Sequence, residues 1–301
     1  MPANRKQLVF RLDTVIFATD LSSASHNAGL YASAISMRFS ANLLIAHAFT
    51  LIQAALEVEI QKKISSQQRL HLNQDLKLAA EVLVSGRGKT ESLLLEGDPC
   101  NVIPELAQRR SPSLVVLGTH GKGSIDRFVL GSAAERILRH STGPTLTVGP
   151  NVKILHAGVL NIRRILFATD CSPRAANAAP IAIALAEAFS ADLDVLNVVR
   201  SSDVDHPEQS HLLQRTLYGA VDAIMPHGAG QVCRPHTFVT LGKPHNDILK
   251  HTDEREIDLL ILGLHRNTHL GMQIRTSGAF PIIIKARCPV ITVAYGSASN
   301  L

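Results

Sequence analysis

The chain has 301 residues, 46% of them hydrophobic and 18% charged, and 30 basic residues against 25 acidic ones give a net charge of +5. The length suggests two domains of ordinary size, and the mild basic excess fits an anionic small ligand rather than a nucleic-acid footprint. Tryptophan is absent, only three tyrosines are present, and the four cysteines form no CxxC pair. Stacking platforms for single strands, zinc sites and disulfide frameworks are therefore not indicated. The amino-terminal stretch MPANRKQLVFRLDTV lacks a long apolar core, and no run reaches the ~18 apolar residues that span a bilayer. A soluble, cytoplasmic protein is expected, without membrane or nucleic-acid partners.

In chain order, TVIFAT (14–19) is short, apolar and β-branched, and reads as a buried strand. A helix is predicted from about Ser23 to Arg38, with serines available to cap it. NLLIAHAF (42–49) is a second strand, and residues 53–85 carry a long amphipathic helical pattern. SLLLEG (92–97) is a third strand, VIPELAQRR (102–110) a short helix and SLVVLG (113–118) a fourth strand. The helix SAAERILRH (132–140) and the strand PTLTVG (144–149) complete the unit. This alternation predicts an open parallel sheet with helices on both faces.

The pattern then repeats. VIFATDLSSASHNA (15–28) returns as ILFATDCSPRAANA (165–178), and EGDPCNVI (96–103) as LGKPHNDI (241–248). SLVVLGTH (113–120) returns as DLLILGLH (258–265), and GPTLTV (143–148) as CPVITV (288–293). The offsets are 150 for the first pair and 145 for the rest. An internal duplication follows, with domains at 1–150 and 151–301 and GPNVKILHAGVLN (149–161) as the linker.

The stretch GTHGKGSIDRFVLGS (118–132) begins at the carboxyl end of the fourth strand, where ligands bind in such sheets. Gly118 and Gly121 allow close backbone approach and unusual φ values. Gly131 and Ser132 open a helix whose free N–H groups favour phosphate, and Lys122 can add charge from the side. A plain turn is the competing reading, because Ser132 and Glu135 form the S-x-x-E pattern of a capping box. Two other phosphate motifs fail. GxGxxG is absent, and SGRGKT (85–90) has Leu83 where a Walker loop needs glycine, so it reads as a helix-terminating turn.

Gly118, Gly121 and Gly131-Ser132, together with FATD at the end of the first strand, resemble the universal stress protein family in its tandem form. The likeness runs once through each half. It implies Rossmann-like sheets of the adenine nucleotide alpha hydrolase type, five-stranded and ordered 3-2-1-4-5, binding ATP, with Mg²⁺ admissible beside it. Carried over, Ala18, Thr19 and Asp20 lie near adenine and ribose, and Ala48 and Leu117 line the adenine pocket. Gly118, Gly121, Gly131, Ser132 and Ala133 hold the phosphates. Asp20 also fits a turn-capping acid. His120 fits loop orientation better than catalysis, and the fourteen histidines show no metal-binding spacing.

The second half keeps Ala168, Thr169, Asp170 and Gly263 but has Arg266 and Thr276, before Ser277, at the other two glycine positions. A degenerate phosphate loop is expected there. The resemblance also implies an internal pseudo-dimer through the edge strands 144–149 and 289–294, and admits a homodimer. A nucleotide-binding regulatory module is the leading expectation, with no catalytic residue assigned. A slow ATPase and a nucleotide-free scaffold are the alternatives.

Overall fold

The structure is a computed structural model that describes residues 11–51, 58–83, 89–120, 130–155, 159–172, 178–200, 218–219, 235–265 and 279–295. The chain divides into two compact units, one built on Leu12–Leu160 and the other beginning at Asn161.

In the first unit, β1 (Thr14–Ala18), β2 (Asn42–Phe49), β3 (Thr90–Glu96), β4 (Ser113–Gly118) and β5 (Pro144–Val148) form a sheet ordered β3-β2-β1-β4-β5. Every pairing is parallel. The helices are α1 (His26–Phe39), α2 (Val58–Leu83), α3 (Pro99–Arg109) and α4 (Ser132–His140). Ile16, Leu44, Ile45, Ile103, Leu138 and Leu146 are among its fully buried side chains. Because both faces of the sheet are covered, the strands read as apolar runs rather than alternations.

The second unit repeats the order with β6 (Arg164–Ala168), β7 (Asp192–Arg200), β8 (His236–Gly242), β9 (Leu259–His265) and β10 (Val290–Tyr295). Its strands run β8-β7-β6-β9-β10, again all parallel. Its helices among the described residues include α5 (Ala179–Phe189), α6 (Pro244–Glu254) and α7 (Ala279–Lys285). The strand order expected for each half is therefore found in both. No helix among the described residues is long and apolar enough to cross a membrane.

Some boundaries differ from expectation. The first helix opens with a short 3₁₀ turn at Ser23–Ser25 before α1 begins. No serine side chain caps it; Ser25 Oγ instead donates to the Ser22 carbonyl at 2.8 Å. Helix α3 starts three residues earlier than predicted. Pro99 occupies its first turn, where a missing N–H costs nothing, and Asp98 caps it by accepting from Cys100 N at 3.1 Å. The start of the expected linker is docked on α1: Asn27 Nδ2 donates to the carbonyls of Val152 and Lys153, both at 3.3 Å.

The second unit carries a buried carboxylate with no counterpart among the described residues of the first. Asp194 on β7 is 2% exposed, where the first copy has Leu44. It accepts from His251 Nε2 at 3.3 Å and Arg255 Nε at 3.0 Å, both at the carboxyl-terminal end of α6, and lies 3.4 Å from His236 Nδ1 on β8. Burial works to raise this carboxyl, but the hydrogen bonds and charge supplied by His251 and Arg255 outweigh it and hold the group at about 2. An unfolded aspartate titrates near ~3.9, so the folded value is depressed. The stabilisation is present above that unfolded value and disappears as pH falls through about 2. Urea unfolding of Asp194→Asn at pH 6 is expected to show a loss of about 2 kcal/mol. The difference from wild type should shrink as the pH is lowered from 5 to 2.

Candidate functional site

The carboxyl ends of β1 and β4 converge because β1 pairs with β2 on one side and β4 on the other. Ala18 lies opposite Ala46 on β2 and opposite Leu117 on β4. Helix α1 follows β1 and α4 follows β4, so this is where the strand order reverses and a crevice is expected. Ala18 and Leu117 are thus register partners, and Ala48 lies two residues beyond Ala46 on β2.

Thr19 turns the chain away from the sheet. Its N–H donates to the Ala46 carbonyl at 3.0 Å, its Oγ1 accepts from Leu21 N at 3.0 Å, and Oγ1 shares a 2.9 Å hydrogen bond with Ser25 Oγ. Leu21 sits at φ 59°, in the left-handed region. Asp20 Oδ1 accepts from Ser22 N at 3.0 Å and from Ser22 Oγ at 2.6 Å, so the turn-forming role expected as one reading of Asp20 is present. The next layer is His47 on β2, whose Nδ1 lies 2.8 Å from the Thr19 carbonyl and donates to it. Nothing in the sequence singled out His47, although its place in the LLIAHAF strand beside the FATD turn was a usable signal.

The glycine loop is closed at its base by Thr119, which sequence reasoning also missed. Thr119 N donates to the Val148 carbonyl at the end of β5 at 3.2 Å, and its own carbonyl accepts from Gly131 N at 2.8 Å. Gly118 and Gly131, thirteen residues apart, thus both flank one buried residue at the end of β4. The Thr119 hydroxyl pairs with His120 Nδ1 at 2.8 Å, a side-chain contact at the base of the loop. His120 Nε2 is buried and has no hydrogen-bond partner among the described residues. Gly121 and Lys122 lie outside the described residues, as do Arg266, Thr276, Ser277 and most of SGRGKT.

Two expectations are corrected here. Gly118 does not adopt a positive φ; a Cβ built on it would meet the His120 carbonyl oxygen and Ser25 Cα at 3.5 Å, an ordinary contact. The glycine is compatible with close approach of a ligand rather than required by the backbone. Nor does Ser132 cap α4. Gly131 occupies the cap position without a side chain to offer, Ser132 is the first helical residue, and Glu135 turns the other way to accept from Arg139 Nη2 at 2.6 Å. The first N–H paired within the helix is that of Glu135, to the Gly131 carbonyl at 2.9 Å. The N–H groups of Ser132, Ala133 and Ala134 therefore have no acceptor in the helix, and Ser132 and Ala133 are exposed. Their positive potential suits an anion.

The second unit rebuilds the strand-end turn with other side chains. Thr169 N donates to the Leu196 carbonyl at 3.0 Å, Cys171 N to Thr169 Oγ1 at 3.0 Å, and Ser172 N to Asp170 Oδ1 at 3.0 Å. Cys171 is at φ 58°, matching Leu21. Burial pushes its thiol up to about 11, with the Asp170 charge acting in the same direction. Asn197 replaces His47 and donates from Nδ2 to the Thr169 carbonyl at 2.9 Å. Among the described residues, no group of three or more His, Cys, Asp or Glu side chains is placed to hold a metal ion.

Comparison with known proteins agrees with this architecture. The universal stress protein family model matches residues 11–149 and again 161–294. A universal stress protein of Methanocaldococcus jannaschii, MJ0531, is 29% identical over 136 residues, covering 44% of this chain and 80% of that protein. One from Thermus aquaticus is 27% identical over 140 residues, covering 45% and 97%. The crystal structure of a universal stress protein from Archaeoglobus fulgidus covers 95% of this chain and all of its own, with a TM-score of 0.69 at 19% identity, a likeness of fold.

If a side-chain donor to the Thr19 carbonyl is what the turn needs, His47→Asn will copy the second unit's solution and keep thermal stability close to wild type. His47→Ala removes the donor and is expected to cost about 1 kcal/mol in chemical denaturation. Equal losses for the two variants would contradict this assignment.

Proposed function

The chain belongs to the universal stress protein family, and from that membership and the crevice geometry we propose that it is an adenine-nucleotide-binding stress-response module with ATP held by the first copy, 1–150. One observation carries the reading: the Gly131-to-Thr119 hydrogen bond brings the unpaired first turn of α4 to the carboxyl end of β4, beside Gly118. Ala18, Thr19 and Asp20, with Ala48 and Leu117, are assigned to the base and ribose. Gly118, Gly121, Gly131, Ser132 and Ala133 are assigned to the phosphates, with Lys122 as a flanking charge and Mg²⁺ as a companion of ATP. Thr19 and Asp20 reach the ligand in this reading by holding the turn as well as by position, since Thr19 Oγ1 and Asp20 Oδ1 both accept from the turn backbone.

The action we assign is binding and its conformational consequence, not turnover. The second copy, 151–301, keeps the strand-end turn and is assigned a packing role within an internal pseudo-dimer, a reading supported by the tandem family match. Its Arg266 and Thr276 replace the glycines that would allow backbone to approach phosphate.

Isothermal titration of ATP into the full chain is expected to give one equivalent. Gly118→Val should weaken binding at least about tenfold, since forcing a branched side chain into an occupied space costs about 1–3 kcal/mol. Gly118→Ala, whose Cβ makes only ordinary contacts, controls for the fold. Equal affinity of wild type and Gly118→Val would rule out the site, and two equivalents would rule out the asymmetry.

A further inference from the structure

The two copies differ in how the helix after the glycine loop is held. In the first copy, α3 and α4 are joined at both ends. At the far end, Gln108 Nε2 donates to Thr142 Oγ1 at 3.1 Å. At the near end, Arg136 Nη2 donates to Asp98 Oδ2 at 2.6 Å. Asp98 is itself anchored: its other oxygen, Oδ1, accepts from Cys100 N at 3.1 Å and from the buried Cys100 thiol at 2.6 Å. The preceding Gly97 donates to the Phe49 carbonyl at the end of β2 at 2.8 Å. Gly97 holds φ 136°, and a Cβ there would come within 2.8 Å of Val102 Cγ1, so the turn needs glycine at this position. Hydrogen bonds from Cys100 and Arg136 hold the Asp98 carboxyl at about 2, so it is ionised at any physiological pH.

In the second copy the far link survives in another form. Asp253 and Arg287 stand at the positions of Gln108 and Thr142, and form an ion pair of 3.9 Å. The near link cannot form there, because Lys243 stands for Asp98 and Pro281 for Arg136. Lys243 provides no side-chain cap to α6. The far link thus accompanies the fold in both copies. The near link accompanies only the copy that keeps Gly118, Gly121 and Gly131-Ser132.

Arg136 lies one helical turn after Ser132 and on the same face of α4. We propose that Asp98 and Arg136 are positioning residues for the phosphate end of the nucleotide site, tying the first turns of α4 to the hydrogen-bonded β3–α3 turn. This rests on the proposed nucleotide site. The tether sets where α4 lies along its own axis, while the Gly131-to-Thr119 hydrogen bond fixes only its cap residue. N–H donors to phosphate must hold position within about 0.5 Å, which one backbone hydrogen bond at a loop end does not ensure. Neither side chain touches the nucleotide in this scheme.

The test is titration of the full chain with ATP and, separately, adenosine. Arg136→Gln removes the charge at an exposed position, and Asp98→Asn keeps a good helix cap while removing the charge. Both are expected to raise the Kd for ATP about three- to fivefold, the range of a partly exposed ion pair, and to leave the Kd for adenosine unchanged. Arg136→Lys should recover part of the loss. Gln108→Ala, which breaks the far link, should leave the ratio of the two Kd values at its wild-type value. Parallel losses for ATP and adenosine, an unchanged ratio in both tether variants, or an equal change in Gln108→Ala would each overturn the tether. If wild type binds neither compound, the nucleotide reading itself falls and the tether with it. Wild-type binding with an unchanged ratio removes the tether alone.

Discussion

Parallel pairing of β1 with both β2 and β4 is the constraint on which the rest of the first unit depends. It places Ala18 level with Leu117 and brings two strand ends together at one edge of the sheet. Beyond those ends the chain leaves in different directions, into α1 and into the glycine loop. The backbone groups exposed there have to be satisfied locally, because no further strand covers them. Thr19 and Thr119 do this work on the two sides. Each donates its N–H to a neighbouring strand end, Ala46 for Thr19 and Val148 for Thr119. Each then uses its carbonyl and hydroxyl to hold the departing loop: Thr19 receives His47 and Leu21, and Thr119 receives Gly131 and pairs with His120. The crevice walls follow from backbone satisfaction before any ligand is considered.

The second unit separates what the backbone demands from what the side chain contributes. Thr169 keeps the role of Thr19, and Cys171 takes the left-handed position of Leu21. Asn197 takes the donor role of His47 with quite different chemistry. The shared requirement is a donor to the carbonyl of the turn threonine. A histidine in that place is therefore no sign of acid–base chemistry, since an amide serves equally well in the other copy.

Legibility in the sequence followed the range of the interactions. The apolar strands TVIFAT, NLLIAHAF and SLVVLG were readable because burial on both faces imposes continuous apolar runs, whereas the sheet order came only with the family resemblance. Helix α3 was placed late because Pro99 looks like a breaker until it is recognised as a first-turn proline behind the Asp98 cap. The S-x-x-E pattern at Ser132, the competing reading, does not say which residue leaves the helical conformation; Gly131 does, and Glu135 goes to Arg139. Thr119, His47 and Asp194 were invisible for a different reason. Apart from the Thr119–His120 pair, their partners lie 12 to 61 residues away in sequence, and only the folded sheet brings them together.

A difference between the copies is not by itself a sign of function, and Asp194 shows why. Its cluster is absent from the first copy, yet it sits near the amino end of β7, level with Leu166, at the opposite end of the strands from the crevice. Its partners are His236 on β8 and His251 and Arg255 at the end of α6, which ties it to packing and to pH stability. The Asp98–Arg136 pair is also confined to one copy, but it joins the end of β3 to the first turns of α4, at the carboxyl edge. In the sequence of the second copy, the glycine substitutions come after β9, the strand that corresponds to β4. Position along the strands therefore discriminates where mere uniqueness does not. Changes toward the amino ends alter how a unit is held together. In the proposed reading, changes at the carboxyl ends alter what the crevice holds, and in sequence the second copy lacks both the glycines and the Asp98–Arg136 pair.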